Sequence, residues 1–366
     1  MTTGRVEDDA LVAWLRPEHA PAHVATQLRE QAEACAVMGS PLYEELLERA
    51  AQDVLERGPL WSVLSAHLAP GRGNAIALRL MAAVHRLVLS GAAPALAAFY
   101  PSAGGRGDVG SAWPAFRALV AERAELVTRL VAHRCQTNEV GRAAALAHGF
   151  LELAATHTLP LRLLEVGASA GLNLRWDHFR YAGGGHAWGD VRSPVDLAGL
   201  WHDPPRQLPS AVAIAERCGC DLEPLDPLDP EAVLALRSSV WADQTIRLRR
   251  LEGALAVAAS EPATVEQASA EAWVAERLER PARGTVTVVY HSVVAEYLPA
   301  PVFAAFERTL RDAGARASAE APLAWLRLEP STSVRHHALT LTEWPGGRER
   351  RLALCGAHGG DVRRAD

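Results

Sequence analysis

From about residue 22 to 133, the apolar residues of this 366-residue chain recur at three- and four-residue spacing. VATQLREQAEACAVM, SPLYEELLERAAQDVLER, NAIALRLMAAVHRLVLSG and WPAFRALVAERAELVTRLVAH all keep that spacing, the period of one helix face. Ser40 followed by Pro41 predicts a helix start, with the serine as cap and the proline at the first helical position; Gly91 predicts a stop. The glycine-rich FYPSAGGRGDVGSAWP and the polar CQTNEVGR interrupt the helices, and the second leads into a helix ending near Leu159-Pro160. Nothing before Leu161 reads as strand.

After Leu161 the period changes. LRLLEVG is a short continuous apolar run of strand type, followed by a glycine turn and the helix-like LNLRWDHF. Further strands are expected in GCDLEPLD, ATVEQAS, TVTVVYHSVV, LAWLRLEP, HALTLTEW and RRLALCGAH. Helical patterns separate the earlier ones: PEAVLALRSSVWADQTIRLRRLEGALAVAAS as one long helix, then AEAWVAERLER and APVFAAFERTLRDAGA. Strands alternating with helices predict an α/β fold with a parallel sheet covered on both faces. LTLTEWPGGRERRLALCGAH closes it as an antiparallel hairpin around Pro-Gly-Gly. The expected organisation is an all-helical region over 1–135 that covers the pocket of a Rossmann-like domain over 136–366.

Composition narrows the chemistry. With 49% hydrophobic and 22% charged residues and no run of about 18 apolar residues, the chain reads as soluble. MTTGRVEDDALVAWLRPEHA lacks a cationic start followed by an apolar run, so a cytoplasmic location is expected. The 5 cysteines show no disulfide rhythm, and Cys218-Gly219-Cys220 has no second pair to complete a zinc site, so no metal is expected. A net charge of -6 argues against a nucleic-acid partner. All 37 basic residues are arginine, which excludes Schiff-base chemistry, a pyridoxal phosphate anchor and the P-loop lysine.

The candidate chemistry centres on EVGASAG. Gly167-Ala168-Ser169-Ala170-Gly171 spells the G-x-S-x-G nucleophile elbow, but that elbow sits deep in a hydrolase sheet, and here it follows the first strand. The dinucleotide fingerprint G-x-G-x-x-G is also missing its middle and third glycines. The turn therefore reads as a ligand cradle at the start of a sheet, with Ser169 as a turn residue capping the next helix. Glu165 is costly to bury at the end of an apolar strand unless it is hydrogen-bonded, which marks it as a site residue. His291, where a strand meets a loop, suits general-base chemistry and equally a structural role. Thr137, Asn138 and Glu139 suit a helix cap, and Arg142 suits either pairing with Glu139 or clamping a carboxylate. Trp176, Asp177, Asp190 and Arg192 fall in a segment expected to be a solvated loop or flap, and Arg247, Arg249 and Arg250 on a solvated helix face.

The C-terminal region resembles class I methyltransferases: a strand ending in an acid and a glycine turn, four further strands, and a closing hairpin. More closely, QTNEVGRAAAL, LLEVGASAGLNLRWD, GCDLEPLD, VWADQTIRLRRL, YHSVVAEYL and EWPGGRERRLALCGAHG resemble the actinobacterial family called domain of unknown function 2332, from about residue 28 to 360. The methyltransferase resemblance implies that Gly167, Ser169 and Gly171 line the methionine part of S-adenosylmethionine, with Glu165 ordering the loop. It implies that Asp226 binds ribose and that Gln267 to Ser269 flank adenine. His291, Tyr290 and Glu139 would then be catalytic, with Asn138 and Arg142 on a small-molecule substrate. In the loop, Ala168-Ser169-Ala170 departs from the usual run with a central glycine. Two alternatives stay open: the same fold catalysing elimination or small-ring closure on an anionic small molecule without that cofactor, and a non-catalytic helper subunit or homodimeric scaffold.

Overall fold

The computed structural model describes residues 20–68, 75–331 and 336–365; the N-terminal stretch on which the expected location rested lies, over 1–19, outside them. The chain divides into two compact units. One comprises the described residues up to Thr137 together with Val233–Leu248, and the other comprises Asn138–Ala232 and Arg249 onward. Segment 233–248 thus departs from the two-block division expected from the pattern. Its Trp241 and Ala242 are buried in the helical core, where Trp241 meets the ring of Tyr43 at 6.1 Å.

The helical unit contains α1 (Ala20–Val37), α2 (Pro41–Leu55), α3 (Pro59–Leu64), α4 (Ile76–Leu89), α5 (Pro94–Ala97), α6 (Trp113–Glu122) and α7 (Ala124–Val131). Gly91 ends α4 as expected: at φ +77° it lets the Ala92 N–H reach the Leu87 carbonyl. The start of α2 differs from expectation, because Ser40 makes no side-chain cap. Its hydroxyl donates instead to Asp243 Oδ1 at 2.6 Å, and Asp243 Oδ2 accepts the Leu42 N–H at 3.1 Å. A carboxylate some 200 positions away in sequence therefore caps the helix, which local spacing cannot reveal.

The second unit opens with α8 (Ala143–Thr156) and β1 (Leu161–Val166). A small sheet follows, of β2 (Arg180–Gly183), β3 (His186–Trp188) and β4 (Asp196–Trp201) in the order β3–β2–β4. Along the chain then come β5 (Ile214–Asp221), α9 (Pro230–Ser239) and α10 (Thr245–Ser260), which belong to the helical unit over 233–248, and, back in the second unit, β6 (Thr264–Gln267), α11 (Ala270–Arg277), β7 (Val286–Ser292), α12 (Ala300–Ala315), β8 (Leu323–Pro330), β9 (His337–Trp344), β10 (Arg348–Cys355) and β11 (Arg363–Arg364). The expected single long helix is two, α9 and α10, broken at 240–244 where the chain enters the helical core.

The main sheet runs β11–β10–β9–β8–β7–β1–β5–β6. β6, β5, β1, β7 and β8 are parallel, and β9, β10 and β11 extend the sheet antiparallel from β8. The chain leaves β1 toward β5 and β6, then crosses to β7 and β8 on the other side. Strand order thus reverses between β1 and β7, the position at which open α/β sheets generally bind ligands. β7 is buried along most of its length, as its apolar run predicts for a central strand.

Two local expectations are corrected. LNLRWDHF is not an α-helix but a seven-residue 3₁₀ segment, Leu172–His178, bent at Arg175, whose buried guanidinium donates to the carbonyls of Gly171 and Glu261. The stretch expected as a flap is packed: Trp176 is fully buried between Phe150 and Trp188, at ring distances of 4.8 and 5.3 Å. Asp177 receives a bidentate pair of bonds from Arg217, each 2.6 Å, and only Asp190 and Arg192 remain as an exposed pair. Among the described residues no helix is long and apolar enough to cross a membrane.

Candidate functional site

Three residues of the turn after β1 adopt positive φ: Gly167 at +69°, Ser169 at +54° and Gly171 at +66°. The glycines are required sterically. A Cβ on Gly167 would lie 2.5 Å from Val294 Cγ2, and one on Gly171 2.8 Å from Val265 Cγ2. Ser169 bears the left-handed conformation at a cost of about 1 kcal/mol, and its buried Oγ has no hydrogen-bond partner. It therefore lacks the base that a nucleophilic serine needs. Nor does it cap the following segment: the Leu172 N–H is taken by Asn138 Oδ1 at 2.9 Å.

The turn's donors are mostly committed within the protein. The N–H groups of Gly167 and Ala168 reach the Cys220 carbonyl, and that of Gly171 reaches the Ala168 carbonyl. The Ser169 N–H donates to Asp221 Oδ2 at 2.9 Å, and Asp221 Oδ1 accepts from the Glu223 N–H at 3.0 Å. Where the pattern pointed to Asp226 as the acid after β5, the structure places another residue there. β5 lies earlier than GCDLEPLD suggests, so the acid at its C-terminal end is Asp221, while Asp226 is exposed in the loop beyond and accepts the Leu228 N–H. Gln267 ends β6 and donates to the Leu222 carbonyl.

Glu165, at the C-terminal end of β1, is 2% exposed. Its Oε2 accepts the Tyr290 hydroxyl at 3.2 Å. Burial pushes its carboxyl up to about 8 against the counter-effects of Tyr290 and Arg175, so it is largely protonated at neutral pH. Tyr290 is fully buried edge-on against Phe150, 5.0 Å between rings, and burial beside Glu165 holds its phenol well above the ordinary range. These two residues form a buried pair beneath the turn, and full burial keeps the side chain of Tyr290, expected to be catalytic, from solvent.

His291, 1% exposed, uses both ring nitrogens. Nε2 accepts the Trp325 indole N–H at 3.1 Å, and Nδ1 lies 2.5 Å from Glu329 Oε1. Since an indole N–H can only donate, Nε2 is the acceptor and the ring proton sits on Nδ1 toward Glu329. The same Glu329 oxygen also accepts from the N–H groups of Val294 and Ala295. Although burial pushes the Glu329 carboxyl up, these bonds hold it below the usual range. Val293, between His291 and Val294, has φ +57°, an outlier for a β-branched residue that costs about 1–3 kcal/mol and marks constrained backbone at the end of β7.

Asn138, Glu139 and Arg142 precede α8. Glu139 is buried and caps the 3₁₀ turn Val140–Arg142 by accepting the Gly141 N–H at 3.2 Å. Arg142 donates to the carbonyls of Ala357 and Ser292, tying the end of β7 to the segment after β10. Asn173 donates to the Glu139 carbonyl, but its buried Oδ1 has no partner. The fold thus gathers Asn138, Glu139, Arg142, Glu165, Ser169 and His291 around the C-terminal ends of β1 and β7, while Asp226 is exposed in the loop whose Leu225 N–H donates to the Ser169 carbonyl. Sequence reasoning missed Asp221, Arg175, Trp325 and Glu329. For Asp221 and Glu329 a signal existed, since each is an acid at or next to the last residue of its strand.

A protein-family model described as an uncharacterized protein conserved in bacteria, DUF2332, matches residues 25–364. The chain belongs to this family. The DUF2332 span takes in nearly all the described residues of both units and every residue of the site. No curated protein matches the chain, and no solved structure does.

Proposed function

We propose that this DUF2332 protein is a small-molecule enzyme with a methyltransferase-like Rossmann sheet, and that its crevice at the ends of β1, β5 and β7 takes S-adenosylmethionine. The observation carrying this reading is Asp221, an acid at the end of the strand beside β1, fixed by the Ser169 N–H of the glycine turn. Strand order reversing beside that turn supports it, as does the buried, unpartnered Ser169 hydroxyl.

The residues present suit the group. Asp221 would accept from ribose hydroxyls, the 167–171 turn and Ser169 Oγ would face the methionine part, and Gln267 would flank adenine. When bound, the cofactor supplies an electrophilic methyl group. Protonated Glu165 braces the floor of the turn without adding negative charge. His291, with both ring nitrogens engaged by Trp325 and Glu329, braces the end of β7 beside the turn and acts as a positioning residue rather than on an acceptor directly.

Calorimetry and thermal shift with S-adenosylmethionine and S-adenosylhomocysteine test this reading, because a ligand binding only the folded state raises stability by mass action. Binding that survives in Asp226→Ala and is lost in Asp221→Ala supports it. Failure of the folded protein to bind either compound overturns it.

A specific observation favours a second reading. Most N–H groups of the 167–172 turn are already bonded within the protein, and Val294 and Val265 fill the space before its glycines. A turn so filled suits a cofactor-free enzyme catalysing elimination or ring closure on an anionic small molecule. That reading predicts no response to S-adenosylmethionine.

A further inference from the structure

Away from the crevice, the second unit holds a cleft of about 400 Å³ between α8, the loop at Pro205-Arg206, β10 and β11. Five arginines line it: Arg206, Arg348, Arg350, Arg351 and Arg364. Arg350 is paired with Glu152 and Glu343, and the Arg364 guanidinium reaches only the Pro204 carbonyl, at 3.4 Å. The side chains of Arg206, Arg348 and Arg351 have no hydrogen-bond or ion-pair partner among the described residues. A chain of net charge -6 thus concentrates unneutralised guanidinium groups in one concavity.

The cleft also has a built interior. His148, on α8, lines it at 4% exposure, packs edge-on against Trp201 and leaves Nε2 without a hydrogen-bond partner. Burial and the neighbouring Arg364 push its imidazole down to about 4, so it is neutral near pH 7. A buried ring nitrogen without a partner is costly. A solvated arginine face requires no such group.

We propose that this cleft binds a small molecule through a diphosphate group. Guanidinium forks match phosphate oxygens bidentately, and a single carboxylate or sulfate would leave most of the unpaired arginines uncompensated. The arginines come from β10, β11 and one loop and converge on a concavity with a buried histidine, a grouping that fits a compact ligand better than a polymer tracking a stripe. The source is either free pyrophosphate or a nucleoside diphosphate, which share this chemistry.

Calorimetry of the full chain with inorganic pyrophosphate, ADP and a short single-stranded oligonucleotide tests the proposal. Pyrophosphate and ADP are both expected to bind. Equal affinity assigns recognition to the diphosphate alone, and tighter ADP binding assigns the nucleotide. Arg348→Gln combined with Arg351→Gln, both exposed positions, is expected to weaken binding by about tenfold or more, while Arg249→Gln leaves it unchanged. Arg206→Gln, on a loop outside the main sheet, repeats the test should the double variant lose its fold. The proposal falls if folded protein binds neither compound at millimolar concentration. It falls equally if the arginine variants bind as well as the parent, or if the oligonucleotide binds while pyrophosphate does not.

Discussion

Tyr290 on β7 and Glu165 on β1 stand opposite each other in the parallel register, both buried, with the phenol donating to the carboxyl at 3.2 Å. This places a proton-bearing carboxyl directly beneath the turn where the strand order reverses. The pair stiffens the base of the site.

A pH signature follows from Glu165. Its pKa is raised in the folded state to about 8 from an ordinary 4.5, so the folded protein holds a proton that the unfolded chain releases. The associated stability is fully present below about pH 4.5 and is lost as pH rises toward 8. The slope is about 1.4 kcal/mol per pH unit across that window. Glu165→Gln, neutral throughout and still able to accept from Tyr290, is expected to flatten the slope and to be the more stable form above neutrality. Urea denaturation across the window measures it, and identical slopes in both proteins would refute it.

Asp221 and Asp226 differ in what they hold within the fold: Asp221 accepts the Ser169 N–H of the glycine turn, whereas Asp226 accepts from the loop beyond β5. Asp221→Ala leaves the Ser169 N–H without its acceptor in a tight turn and is expected to cost about 1–3 kcal/mol. Asp226→Ala, at an exposed loop position, should change stability by less than about 1 kcal/mol. Denaturant midpoints of the two variants, compared at constant m-value, decide the matter.

The His291 tautomer is open to direct observation by NMR of ¹⁵N-labelled protein. The Nδ1–H form is expected, and in Trp325→Phe it should persist, because Glu329 still holds the proton. In Glu329→Leu the preference should disappear, and the stranded Val294 and Ala295 N–H groups should lower stability by about 1–3 kcal/mol. An Nε2–H form in the parent protein would contradict the arrangement.

At the start of α2, Asp243→Ala removes the acceptor for both Leu42 N–H and Ser40 Oγ and is expected to cost about 1–2 kcal/mol. Ser40→Ala spares the Leu42 bond and should cost less. Were Ser40 itself the cap, thermal melts of the two variants would show the reverse order.

Much of the fold was legible along the chain. Periodicity located the longer helices up to residue 133 but not the short Pro59–Leu64 and Pro94–Ala97 or the break between Glu122 and Ala124; the change of period at Leu161 marked the first strand, and the closing hairpin and the parallel strands other than β5 were found close to their observed limits. Glu165, the positive-φ glycines and His291 were also recoverable, because a polar residue or glycine at the end of an apolar strand stands out locally. What failed depended on partners distant in sequence. β5 reaches back to Ile214 because its polar positions pair with β1, not because its own pattern is apolar. LNLRWDHF bends into a 3₁₀ segment because Arg175 is drawn to the Glu261 carbonyl, and the flap is a packed layer because Trp176 stacks on Phe150. The cap of α2, the Trp325–His291–Glu329 chain and the arginine cleft likewise join residues from separate elements. The sequence by itself determined the period of each element and hence the class of fold. Only tertiary structure decided which polar groups meet, since hydrogen bonds and charges act over a few ångströms between atoms that periodicity cannot bring together.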